Sequence, residues 1–358
     1  MLIKLLEAIR FEARCKVLVL MGRGTLSDEM TALGVEVDYI GMAQGAIPTL
    51  TNLFRIISIG RKFQPDIIQG WMYHGNVSAW FIKMFLSHRV RLLWNVRQSL
   101  YDLKNEKRLT RLLIGVSRHL SNAPKTIVYN SQVSSRQHEA AGYPHRSSKV
   151  IPNGFDLEKY LPDEAARHFL CNELELDEEI PVVLHVARYH PMKDHRSMLI
   201  AAALTLAKLP SVKFIFVGSD VTDKNEHLTS ILDEFGLKKG VILLGERSDL
   251  SRLMAAADLL VSSSAWGEGF PNVVGEAMSC GTPCVVTDVG DSAHLVGDCG
   301  RVVPPCNPEA LSAQIQELLS DRRLRNDLGV RARQRVEGSY SLQQVSRAYL
   351  NLYMGKGV

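Results

Sequence analysis

Short runs of β-branched and leucine residues alternate with stretches long enough for crossover helices, and this alternation runs twice along the chain. The first series is KVLVL (16–20), VEVDYI (35–40), DIIQG (66–70), RLLWNV (91–96) and TIVYNS (126–131), with amphipathic helical patterns at 46–63 and 105–121. The second is PVVLHVA (181–187), KFIFVG (213–218), VILLGE (241–246), LLVSSS (259–264) and PCVVTD (283–288), with helical patterns near 194–208, 224–235, 248–257 and 272–280. A strand reaches a parallel neighbour only through a crossover, so such alternation predicts parallel sheets covered on both faces. Two doubly wound α/β domains are expected. KVIPNGFDLEKY (149–160), with Pro152, Asn153, Gly154 and Asp156, reads as a turn-rich connection between them. The expected limits are 1–152 and 153–340. Three more helical patterns, near 307–319, 322–336 and 341–353, follow the second series; the last, within 341–358, has no strand to serve and should pack back on the first domain.

The 358 residues suffice for two cores, and 46% hydrophobic against 22% charged residues excludes a disordered or fibrous chain. There is no run of about 18 apolar residues and no signal-peptide pattern, so a cytoplasmic location is expected. The net charge of +4 is unevenly distributed: residues 1–150 carry 21 Lys and Arg against 10 Asp and Glu, and the remainder 21 against 28. A basic half attracts anionic lipid headgroups or an acidic acceptor, which makes peripheral contact with a membrane's inner face an expectation; nucleic acid is not expected, because no recognition motif accompanies the charge. The six cysteines form neither a CxxC pair nor a Cys/His ligand spacing, and no metal site is expected from them.

Ligands of open parallel sheets bind beyond the carboxyl ends of the strands, and two such edges are expected to face one another across a cleft. The segment SSSAWGEGFPNVVGEAMSCGTP (262–283) reads as a strand end, a glycine-bracketed acid and a helix. Gly267 and Gly269 permit close backbone approach, Pro271 suits a first helical turn, and the amides that follow, at Asn272 and Val273, offer a positive helix N-terminus to phosphate. Glu268 precedes the helix and Glu276 lies about a turn and a half inside it, so they address different parts of one ligand: a sugar hydroxyl and a ribose diol. In HVARYHPMKDH (185–195), Arg188 and Lys193 follow a strand closely enough to bind a diphosphate and offset charge on a leaving nucleotide.

With these residues in view, the chain resembles the retaining glycosyltransferase family 4. The resemblance covers most of residues 1–353 and rests on VIPNGFD (150–156), the Arg and Lys five apart, LLGERSDLSRLMAAADLLVSSS (243–264) and E-x7-E from Glu268 to Glu276. It implies a GT-B fold of two Rossmann-like domains, a nucleoside diphosphate sugar as donor, net retention at the anomeric carbon, and neither an essential metal nor another cofactor. Carried over by position, Arg188 and Lys193 bind the diphosphate, Glu268 contacts the donor sugar and Glu276 the ribose. Backbone near Gly245, Glu246 and Arg247 holds the base, while Gly269, Phe270, Asn272 and Val273 lie at the phosphate and sugar. The acceptor implied is a saccharide or lipid-linked saccharide, as in bacterial polysaccharide or glycolipid assembly. A sugar-nucleotide epimerase of the same fold and an inactive nucleotide-sugar-binding protein are the alternatives, and product formation with an acceptor separates the three.

The first half departs from the family in two places. Where many members carry a cleft histidine after the fourth strand, this chain reads WNVRQS (94–99), which makes Arg97 a candidate for an acceptor phosphate or the donor and His74, in GWMYHGN (70–76), the candidate imidazole. Family members also open with a strand and a Gly-rich turn, whereas LIKLLEAIRFEA (2–13) already reads as the helix after that turn, with Leu2, Leu5, Leu6 and Ile9 as an apolar stripe. The expectation is that an upstream strand and turn have been lost and that this polypeptide is poorly active.

Overall fold

The computed structural model describes residues 1–101 and 108–355. It divides into one unit of Met1–Gly154 with Leu342–Val358 and a second of Phe155–Ser341. In the first unit the order is α1 (Leu2–Ile9), β1 (Lys16–Val19), α2 (Thr25–Ala32), β2 (Glu36–Tyr39), α3 (Leu50–Phe63), β3 (Ile67–Trp71), α4 (Met72–Met84), β4 (Arg91–Val96), α5 (Arg108–Leu120), β5 (Thr126–Tyr129), α6 (Gln132–Ala140) and β6 (Ser148–Val150). All these strands pair in parallel, in two ladders, β1-β2 and β3-β4-β5-β6. The same helices serve both ladders. On one face α1 places Leu6 against Val17 and Val19 of β1, and Leu5 and Ile9 against Val128 of β5. On the other, Ile56 of α3 clusters with Leu18 of β1 and Ile68 of β3.

The apolar stripe of α1 buries Leu5, Leu6 and Ile9, but the helix ends there rather than at residue 13. Beyond Ile9 nothing continues the stripe, and Phe11 is exposed. Helix α3 begins at Leu50, later than the pattern from residue 46, because Thr49 caps it by accepting the Asn52 amide at 3.2 Å. Residues 105–107, the start of the pattern at 105–121, lie outside the described residues. Strand β6 overlaps the start of the segment read as a connection; three residues are too few to show a period.

The second unit runs α7 (Glu164–Leu174), β7 (Val182–Val186), α8 (His195–Leu206), β8 (Lys213–Val217), α9 (Glu226–Glu234), β9 (Val241–Leu243), α10 (Leu250–Ala256), β10 (Leu259–Ser262), α11 (Asn272–Ser279), β11 (Cys284–Thr287), α12 (Ser292–Val296), β12 (Arg301–Val303), α13 (Pro308–Ser320) and α14 (Arg322–Ser339). Its parallel sheet has the order β12-β11-β10-β7-β8-β9. Helices cover both faces, which is why the strands are apolar almost without interruption: Val182, Leu184 and Leu260 enter one core, Val183, Phe214 and Val261 the other. The final helix, α15 (Leu342–Met354), belongs to the first unit, where Val345 and Tyr349 pack with Leu5, Val128 and Ile151. Gly154 is required beside it, since a Cβ there would lie 2.9 Å from Leu342 Cα.

Candidate active site

In the second unit the chain leaves β7 for β8 and β9 on one side, then returns to lay β10 along the other. The loops after β7 and β10 therefore part at a topological switch point, where open α/β sheets receive ligands. The loop after β7 holds one 3-10 turn, Pro191–Lys193, capped by His190 Nδ1, which accepts the Met192 amide at 3.2 Å. Asp194 follows in the left-handed region (φ 47°) and caps α8 by accepting the Ser197 amide at 3.1 Å.

Three contacts fasten β7 and this turn to the loop after β10. The Ala265 amide donates to Met192 O at 2.8 Å, and Ser263 Oγ donates to Lys193 O at 2.8 Å. His185 Nε2 lies 3.0 Å from the same Ser263 oxygen. Because the serine proton is used on the carbonyl, the imidazole supplies the proton of that second bond. Burial above all, then His195 and Lys193, holds the His185 pKa well below the usual range, so it stays neutral.

This scaffold brings Lys193 Nζ onto Glu268 Oε1 as an ion pair, and Ser264 Oγ donates to the same oxygen at 2.7 Å. Only 20% of the lysine side chain and 10% of the glutamate side chain are exposed. The glutamate loop is also fixed from behind. The Asp291 amide donates to Gly269 O at 2.9 Å, and Gly290 (φ 62°) lies so close that a Cβ would be 2.5 Å from Glu268 O. Helix α11 starts immediately afterwards, with Asn272 exposed and Val273 half-buried at its first turn. Glu276 is half-buried on the same helix and accepts a hydrogen bond from the Tyr160 phenol, whose pKa is raised by burial and then by that carboxylate.

Other expected positions have different surroundings. Arg188 is exposed just beyond Ala187 and takes no part in the Lys193–Glu268 pair. Gly245 (φ 66°) spends its amide on Val221 O at 2.9 Å, and its carbonyl accepts the Gly218 amide at 2.8 Å. Glu246 is exposed. Arg247 is pinned between Asp249 (2.8 Å) and Glu173 (3.0 Å), which raise its pKa. The Phe270 side chain packs in the core: its ring lies 6.0 Å from Phe155 and 5.7 Å from Tyr340, centroid to centroid. The sequence reading passed over Ser263, Ser264, His185 and Tyr160. The triple serine closing an otherwise apolar strand, and a histidine within another, were the available signals.

In the first unit His74 is exposed on the first turn of α4. Arg97 follows β4 and is half-buried over the Trp71 ring, 5.5 Å from its centroid. Its Nη1 donates to Tyr349 Oη at 3.1 Å and Asn95 Oδ1 at 3.3 Å. These partners are neutral, and burial lowers the Arg97 pKa.

Two family models match the chain: Glycosyl transferases group 1 over residues 167–335 and Glycosyltransferase Family 4 over residues 8–159. The chain belongs to glycosyltransferase family 4. The N,N'-diacetylbacillosaminyl-diphospho-undecaprenol alpha-1,3-N-acetylgalactosaminyltransferase of Campylobacter jejuni is 25% identical over 352 residues, 94% of this chain and 90% of the relative. Spore coat protein SA of Bacillus subtilis is 28% identical over 220 residues, 58% of each chain. Across this and other curated relatives the chain spans about half of the relative's length. The crystal structure of Anabaena HepE in complex with UDP is similar with a TM-score of 0.86 at 22% identity, covering 99% of this chain and 95% of HepE. That likeness shows the fold, the GT-B architecture of two Rossmann-like units. Within this family 4 chain, the group 1 match contains Lys193, Glu268 and Glu276, and the Family 4 match contains His74 and Arg97.

Proposed function

We propose that the chain is a retaining glycosyltransferase that moves a sugar from a nucleoside diphosphate sugar to an acceptor hydroxyl, with the donor held by the second unit. The observation that carries this reading is the Lys193–Glu268 pair, set at the switch point and directly before a helix N-terminus. The positive end of a helix dipole attracts phosphate. Lys193 and Arg188 add the charge that a departing diphosphate needs. Glu268, oriented by Ser264, faces the sugar hydroxyls, and Glu276, shaped by Tyr160, receives the ribose diol.

In the reaction the bond from the anomeric carbon to the diphosphate breaks while the acceptor hydroxyl attacks from the same face. A diphosphate oxygen takes the acceptor proton, and configuration is retained. The protein's part is to place the two substrates and stabilise the charge that develops on the leaving group. With cations and amides at the diphosphate, we propose that no divalent ion is required. The acceptor is proposed to be a saccharide or lipid-linked saccharide of bacterial polysaccharide or glycolipid assembly, the class named in the Campylobacter relative. No helix among the described residues is long and apolar enough to cross a membrane, and contact with a membrane is proposed to be peripheral.

Thermal-shift measurements with UDP, GDP and ADP sugars, followed by transfer assays with the sugar that binds, test the proposal. The expected result is acceptor-dependent transfer with retained configuration that persists in chelator. Donor isomerised without an acceptor would favour an epimerase, and loss of activity in chelator with recovery on adding a divalent ion would remove the metal-free mechanism.

A further inference from the structure

Helices α3, α4 and α5 lie side by side on the first unit. The Arg61 Nε donates to Phe85 O at 3.3 Å, joining the ends of α3 and α4, and a Cβ on Gly60 of α3 would come 2.7 Å from Ile82 of α4. Helix α4 in turn packs on α5. These helices are 14, 13 and 13 residues long; none of their residues is acidic and seven are Lys or Arg. Six of the seven, Arg55, Arg61, Lys62, Arg108, Arg111 and Arg118, are exposed.

A solvated surface of helices ordinarily mixes both signs of charge, which keeps it soluble and pairs neighbours along each helix. The outward positions here instead add apolar side chains to a single-signed field. Leu50 is 74% exposed, Phe54 71% and Leu112 63%, and Ile47, just before α3, is 80% exposed. Of the large apolar side chains exposed among the described residues, thirteen lie in the first unit and five in the second. The apolar tip at Ile47, Leu50 and Phe54 has no use in gripping nucleic-acid phosphates, whereas protruding apolar groups beside Lys and Arg suit the headgroup region of an anionic bilayer.

We propose that the outer face of α3, α4 and α5 docks the protein on an anionic lipid surface, with Ile47, Leu50 and Phe54 entering the interface and the arginines of α3 and α5 meeting the headgroups. This builds on the peripheral location proposed above but not on the donor chemistry.

Flotation of the intact chain with vesicles of phosphatidylcholine, alone or with one third phosphatidylglycerol, tests the proposal. Binding is expected only with the anionic lipid and should weaken as salt rises. Arg111→Glu with Arg118→Glu should reduce it by more than about tenfold. Leu50→Ser with Phe54→Ser should also reduce it, while Val330→Ser, exposed on the second unit, should not. All these positions are exposed, and unchanged melting temperatures would show that the variants fold. Equal binding to both vesicle types, binding to neither, or variants that bind like the wild type would overturn the proposal. So would a double-stranded oligonucleotide that binds through the same arginines and excludes the vesicles. Vesicle binding without any response to nucleotide sugars would instead leave the surface standing and remove the donor reading.

Discussion

Glu268→Gln separates the two tasks that the Lys193–Glu268 pair performs. In the free protein the carboxylate pairs with Lys193 Nζ and accepts from Ser264 Oγ, with 10% of its side chain exposed. A hydrogen bond to a charged group contributes about 1.5–3 kcal/mol, and this pair is too enclosed for the near-zero values of surface ion pairs. The amide keeps an acceptor oxygen but loses the charge, so the variant should lose roughly 1–3 kcal/mol of stability, or on the order of 2–10 °C in melting temperature for a chain of this size. Nucleotide binding should move the other way. On the proposed reading a diphosphate competes with Glu268 for Lys193 in the wild type, and in the variant that competitor is neutral. UDP, or whichever nucleotide the protein accepts, should bind as well as before or up to about tenfold tighter. Turnover should fall at least about a hundredfold, because in the proposed reaction the lost contact strengthens as the sugar departs. Calorimetric titration with the nucleotide and steady-state transfer would measure both effects. The reasoning fails if nucleotide affinity in Glu268→Gln drops as far as in Lys193→Ala, or if turnover is unchanged.

Arg188→Ala and Lys193→Ala should each weaken nucleotide binding and turnover together, and unchanged titration curves for both would remove the diphosphate site. Gly290→Ala places a Cβ 2.5 Å from Glu268 O at a φ of 62°. It should lower stability by about 1–3 kcal/mol and reduce turnover by shifting Glu268, even though the substituted residue carries no side chain to the ligand; wild-type melting and activity would contradict this. Acid should destabilise both units. Burial pushes the pKa of His138 in the first unit and His195 in the second down to about 4, below the value of about 6.5 for an unfolded histidine. The stability tied to their neutral forms is complete above pH 6.5 and is lost as pH falls towards 4, by up to roughly 3 kcal/mol each. Urea midpoints that stay flat between pH 6.5 and 4.5 would count against it.

The two-unit plan was legible because it is written locally. Strand and helix periods, the turn-rich segment before Phe155 and the unserved last helix are features of short windows. The E-x7-E spacing likewise put Glu268 in the loop and Glu276 on the helix without reference to distant residues. Short edge elements such as β6 and β12, each three residues long, carried too little period to be read. Nor did the windows show that the first sheet forms two ladders, since ladder membership concerns which strands meet.

The partners of the site residues were decided only by the tertiary structure. Lys193 and Glu268 are 75 residues apart, and they meet because β7 and β10 are neighbours at the switch point. Arg247 is locked by Glu173, Phe270 is absorbed by the core beside Phe155 and Tyr340, and Arg97 is tied to Tyr349, 252 positions away. Residue type and local spacing determine which groups one element can present. Whether such a group meets ligand, core or a neutralising partner depends on strand order and on which helix covers it, and those are properties of the folded chain.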